Sequence, residues 1–204
     1  MLRDASLTLR ATQHRAGHLG MSSQHKEALA KCQYAVQQRM GLAVIYGDVG
    51  TGKTTIARRL FQTFIDNPDY RTAMIVSPNL KTENALLREI MKEFGVTTKR
   101  SFADSRTAFQ AFLAEQFKSD CTVVLMLDEA QSIRSPNFEL IRSLLNFETD
   151  RQKLLNIIPA LLPLDTRQVT HYPPYMCSGY ALKQFTRSPR CRFPLLGGQG
   201  VRRR

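Results

Sequence analysis

No apolar run in the 204 residues exceeds the five of Val123–Leu127, far short of the roughly 20 residues a helix needs to span a bilayer. Met1–Gln24 has no apolar leader core, because Arg3, Arg10, His14, Arg15 and His18 punctuate it, so no secretory signal is expected. The four cysteines, Cys32, Cys121, Cys177 and Cys191, include no close pair with metal-binding spacing. Reduced thiols are expected, and the chain is read as cytoplasmic. There is no internal repeat, and no Asn-Lys-x-Asp guanine signature, so ATP is expected over GTP.

Acids are scarce at the two ends. From Pro159 onward Asp165 stands alone against eight Lys and Arg, a net +7, and Met1–Gln24 adds +2. The stretch from His25 to Ile158 keeps only +3 of the total +12. The basic balance therefore sits in the tails. It argues for a near-neutral globular middle and against charge alone as a sign of DNA binding.

Apolar residues make up 43% of the chain, enough for one packed core. Residues 1–21 show no sustained period and read as a loose arm. From Ser22 or Ser23 a helix is expected, carrying Ala28, Leu29, Cys32, Ala35 and Val36 at spacings of three and four and stopped by Gly41. Leu42–Tyr46, Ala73–Ser77, Thr122–Leu127 and Leu154–Ile158 read as strands. Between them, amphipathic helices are expected from near Gly52, over Thr82–Phe94, over Ser105–Lys118 and from Ser135-Pro136. Strands alternating with helices of this length imply an α/β fold with a parallel sheet covered on both faces. After Ile158 the pattern collapses into a Pro- and Arg-rich stretch holding six of the nine prolines, so the core is bounded at 22–158 and residues 159–204 read as a basic tail.

Two motifs carry chemistry. Gly47-Asp48-Val49-Gly50-Thr51-Gly52-Lys53-Thr54 is a complete G-x-x-x-x-G-K-[ST] loop between a strand and a helix. Its glycines let backbone N–H groups face phosphates, and the helix N-terminus adds its dipole. Gly47, Asp48, Val49, Gly50, Thr51, Gly52, Lys53, Thr54 and Thr55 form the expected nucleotide-binding set. Lys53 reaches the β- and γ-phosphates, and the Thr54 hydroxyl is a Mg²⁺ ligand. Val123–Leu127 then delivers Asp128 and Glu129 as the matching acidic pair, Asp128 for the metal and Glu129 to polarise the attacking water. Asp48 is read as solvent-facing. Gln131 is read either as a γ-phosphate sensor or as a surface glutamine, and His25 as a surface histidine or a neighbour of the adenine edge. Arg142 and Arg151 are read as ordinary exposed arginines, with a trans-acting arginine finger as the alternative.

Ser-Ser-Gln-His-Lys-Glu-Ala-Leu-Ala (22–30), the phosphate loop through Thr55, Leu-Asp-Glu-Ala-Gln (127–131) and Leu-Leu-Asn-Phe-Glu-Thr-Asp (144–150) together resemble a bacterial AAA+ group. It holds the general-secretion A-type ATPases and the transposition helpers of the TniB and TnsC kind. The resemblance covers Ser22 to Ile158 and implies an AAA+ three-layer αβα fold. It also implies an ATP-dependent homo-oligomer, and either DNA and a transposase or secretion-machinery proteins as partners. Asn146 and Glu148 match the group's motif. The group's polar sensor, fifth strand and helical lid are not recognisable after Pro159, as a frame change or decayed gene end would leave them. ATP hydrolysis is the expected activity. A non-hydrolysing nucleotide-binding module, or a truncated product acting through partners, is the alternative. A small-molecule kinase fits less well, because adjacent Asp128 and Glu129 suit hydrolysis.

Overall fold

The computed structural model describes residues 22–162. The loose arm expected over 1–21 and most of the expected tail lie outside the described residues. Ser22 caps α1 (Ser23–Gln37) by accepting the His25 N–H, and the helix buries Ala28, Cys32, Ala35 and Val36. The chain leaves it through Arg39 and Gly41, both at positive φ, into β1 (Ile45–Tyr46). The phosphate loop then runs into α2 (Lys53–Ile65). There follow β2 (Tyr70–Val76), α3 (Glu83–Glu93), α4 (Phe102–Lys118), β3 (Thr122–Asp128), a 3-10 turn (Ala130–Ser132), α5 (Ser135–Leu145) and β4 (Leu155–Leu161). α4 starts three residues before the expected Ser105 because Ser101 caps it, accepting the Asp104 N–H. α5 begins with Pro in its first turn, where the missing N–H costs nothing.

The strands form one parallel sheet in the order β1-β4-β3-β2. The period-2 alternation of β3 splits the core in two. Val123, Leu125 and Leu127 face α3, α4 and α5 with Leu86, Ile90, Phe109, Leu113 and Ile141. Val124 and Met126 face α1 and α2 with Cys32, Ile56, Leu60 and Phe64. The three-layer αβα architecture is thus the observed one. Burial pushes the Cys32 thiol up to about 12, as expected of an apolar core residue. Among the described residues Cys32 and Cys121 are free, and no helix is long and apolar enough to cross a membrane.

β4 departs from its expected end at Ile158. It passes through Pro159 to Leu161, every residue of it buried, and Pro159 stands opposite Leu127 in the register. Ile157 donates to the Gly41 carbonyl and accepts from the Ala43 N–H, so alternate residues of β4 turn their backbone polar groups toward β1. At residue 159 that pattern needs an N–H, which proline lacks. The loss explains why Leu42 and Ile157 form an isolated bridge and regular β1 is confined to Ile45 and Tyr46. The strand survives because only one hydrogen bond on one side is lost, while the pairing with β3 and the burial of Ile158, Ala160 and Leu161 remain.

The core boundary at Ile158 is therefore corrected outward. A chain ending after Ile158 should be less stable than the full chain by about 2–4 kcal/mol in denaturant unfolding, from the lost burial of Leu161 and Ala160 and the lost β1–β4 register. Coincident unfolding curves would show that these residues contribute nothing to the fold.

Candidate nucleotide site

The phosphate loop sits at the C-terminal end of β1 and closes on the first turn of α2. Gly50 and Gly52 lie at φ +77° and +84°, a left-handed region that a side chain would strain. A Cβ on Gly50 would meet nothing within 4 Å, so backbone conformation alone requires that glycine. At Gly52 a Cβ would also stand 2.9 Å from His25 Nε2. Asp48 and Val49 are exposed on the outside of the loop, as expected for Asp48. Lys53 is buried, and its Nζ donates to the carbonyls of Gly47 (2.9 Å) and Asp48 (2.8 Å). The loop is further tied to the sheet by Gly47 N–H donating to Leu161 O at 3.3 Å, beyond the expected end of β4. Helix geometry leaves the first-turn N–H groups of α2 without intrahelical acceptors, and Gly52 as N-cap supplies no side-chain oxygen to compete for them.

The two motifs meet at one contact. Thr54 Oγ1 donates to Asp128 Oδ1 at 3.2 Å, across 74 residues of sequence. Asp128 is buried at the end of β3, and its Oδ1 also accepts the Glu129 N–H at 3.1 Å. Glu129 itself takes a left-handed conformation (φ 54°, ψ 38°), which turns its side chain out of the strand and into solvent. Ser77, next to it at the end of β2, is also left-handed, and its N–H donates to the Asp128 carbonyl. Such conformations in non-glycine residues cost about 1–3 kcal/mol each and gather where a site needs them.

Gln131 is neither loose on the surface nor isolated. Its amide Nε2 donates to Glu129 Oε2, and its Oε1 accepts the Leu162 N–H at 3.2 Å. The Leu162 N–H can only donate, which fixes the orientation of the amide. His25 is likewise no isolated surface histidine. Its Nε2 lies 3.0 Å from the Thr51 carbonyl inside the phosphate loop. The sequence carried no signal for the Gln131–Leu162 or His25–Thr51 link, since each joins residues about 30 positions apart without a periodic relation.

Other candidates are not brought to the site. Arg142 pairs with Glu139 on the exposed side of α5, and Arg151 is exposed in the loop before β4. Asn146 caps the end of α5, while Glu148 pairs with Lys153 and bridges it in a short antiparallel turn. In a parallel sheet that turn, at the start of β4, lies a strand length or about 20 Å from the phosphate loop. The motif block Asn146–Asp150 is therefore a fold element rather than part of the phosphate site. It braces the sheet edge, where Lys153 N–H donates to Arg39 O and its side chain lies against Gly41.

The residues present fit Mg²⁺ and a nucleotide. A hydroxyl and a carboxylate oxygen share one edge of the loop, a hard oxygen pair of the kind Mg²⁺ takes together with phosphate oxygens. Among the described residues no three His, Cys, Asp or Glu side chains gather into a dedicated metal cage, and a Mg²⁺ carried by phosphates needs none.

Comparison with known proteins agrees with this geometry. Residues 36–168 match the model of the AAA domain family. That span passes beyond Ile158, so the reading of the sequence from Pro159 as foreign to the family is corrected for its first residues. The general secretion pathway protein A of Aeromonas hydrophila is 37% identical over 147 residues, covering 69% of this chain. The chain spans 26% of that relative's length. Among solved structures, the ADP form of the Aeropyrum pernix ORC2 protein superposes with a TM-score of 0.59 at 17% identity, covering 83% of this chain and 50% of that one. Cdc6p of Pyrobaculum aerophilum gives 0.58 at 17% identity, covering 82% and 47%. These two show the shared fold. With its matched span running from the end of α1 through β4, the chain belongs to the AAA domain family of AAA+ P-loop ATPases.

Proposed function

We propose that the chain binds Mg-ATP on Gly47–Thr55 and hydrolyses it to ADP and phosphate. The observation that carries the reading is the Thr54–Asp128 contact at 3.2 Å beside the buried Lys53, which brings the residues expected to meet phosphate and metal to one sheet end. Lys53 and the N–H groups of the loop would hold the β- and γ-phosphates, and Thr54 and Asp128 would hold Mg²⁺. The metal supplies charge neutralisation on the phosphate oxygens. Water oxygen attacks the γ-phosphorus while the bond to the β-γ bridging oxygen breaks, and ADP leaves. Glu129 accepts the proton of the attacking water.

The relative's name favours a role beside secretion-machinery proteins, and the family resemblance adds an ATP-dependent homo-oligomer, with the cytoplasm as its proposed place. A transposition helper acting on DNA with a transposase is the competing role. A non-hydrolysing nucleotide module is favoured by one observation, the engagement of Glu129 Oε2 by Gln131. Phosphate release from ATP separates these readings. Release that requires Mg²⁺ and disappears with a chelator supports hydrolysis, and stimulation by duplex DNA would move the role toward transposition. ATP binding with no release under any of these conditions would leave the non-hydrolysing module.

A further inference from the structure

His25 reaches the phosphate loop from a helix 26 residues earlier, and the chemistry of the contact is unambiguous. Thr51 O can only accept, so the imidazole Nε2, 3.0 Å away, carries the proton. In the neutral ring Nδ1 is then the acceptor, and Ser22 Oγ lies 2.5 Å from it, placed to donate. Ser22 in turn accepts the His25 N–H at 3.3 Å, so one cap serine fixes both the helix start and the ring.

A phosphate cradle works only if its N–H groups point inward, which requires its carbonyls to point out. The Gly47 and Asp48 carbonyls are held by Lys53 Nζ, and Thr51 Oγ1 adds a second donor to Asp48 O at 2.8 Å. The Thr51 carbonyl lies beyond the reach of that arrangement. It belongs to the peptide joining Thr51 to Gly52, whose left-handed glycine (φ +84°) places little restraint on rotation of the peptide plane. His25 supplies that restraint. The close approach also needs a glycine at 52, since a Cβ there would stand 2.9 Å from Nε2.

We propose that His25 is a positioning residue for phosphate binding, locking the Thr51–Gly52 peptide with its carbonyl outward. This rests on the nucleotide-binding reading above. The test titrates ATP with Mg²⁺ into wild type, His25→Ala, His25→Gln and Lys53→Ala, with the thermal midpoint of each measured beside it. His25→Ala should lose about two- to tenfold in ATP affinity well below its midpoint, the range of one net hydrogen bond. His25→Gln, whose amide N–H can still reach Thr51, should recover most of it. A merely structural role would lower the midpoint and leave the affinity of the folded protein unchanged. Wild-type affinity in His25→Ala, with binding lost in Lys53→Ala, overturns this inference and leaves the site standing. Equal losses in His25→Ala and His25→Gln overturn it too, because the donor would then not matter. Wild-type affinity in Lys53→Ala overturns both readings. Should His25→Ala fail to fold, His25→Asn, whose amide falls short of Thr51, is read by the same criteria.

Discussion

Replacing Lys53 by alanine should weaken ATP binding by about a hundredfold or more in a Mg²⁺-containing titration. In the proposed role the side chain would contribute charge-assisted hydrogen bonds to phosphate, worth about 1.5–3 kcal/mol each, and two of them reach that factor. A further loss comes from the loop itself. Lys53 Nζ also donates to the Gly47 carbonyl, so truncation leaves that carbonyl without its donor, while Asp48 O keeps Thr51 Oγ1. The side chain is also buried, so the substitution removes its packing along with its charge. An affinity within twofold of wild type would remove the loop from nucleotide binding.

Glu129→Gln should leave ATP bound and slow hydrolysis by about a hundred- to ten-thousandfold, the contribution of a positioned general base. The amide keeps the shape and loses the proton acceptor. Binding should survive because the proposed ligands of phosphate and metal, Lys53, Thr54 and Asp128, are separate side chains. The left-handed backbone at Glu129 supports the assignment, since a strained residue beside a buried carboxylate has no evident packing role. Single-turnover phosphate release, measured with the ATP dissociation constant, makes the test. Equal release by the two proteins would take Glu129 out of the mechanism, and a parallel fall in affinity would make its role one of ground-state binding.

The nucleotide loop, the acidic pair and the alternation of strands with helices were legible in the sequence because each is a local signal. Glycines at 47, 50 and 52 permit the turn whatever surrounds them, and the apolar alternation of Val123–Leu127 serves two buried faces in any parallel sheet. The Ser22 cap and the proline in the first turn of α5 are equally local. Pro159, read locally as a strand end, was decided by tertiary register. A proline costs a strand one donor, and whether that ends it depends on what the rest of the strand buries and pairs with. Here the burial of Ile158, Ala160 and Leu161 and the ladder to β3 outweigh the missing bond to β1. Long-range packing likewise placed the Asn146–Asp150 block at the far end of the sheet, because the parallel direction of β4 sends its N-terminus away from the loop. It also brought His25 to Thr51 and Gln131 to Leu162. Those links join polar side chains to backbone atoms on separate elements, and the distances between them exist only once the helices have packed on the sheet.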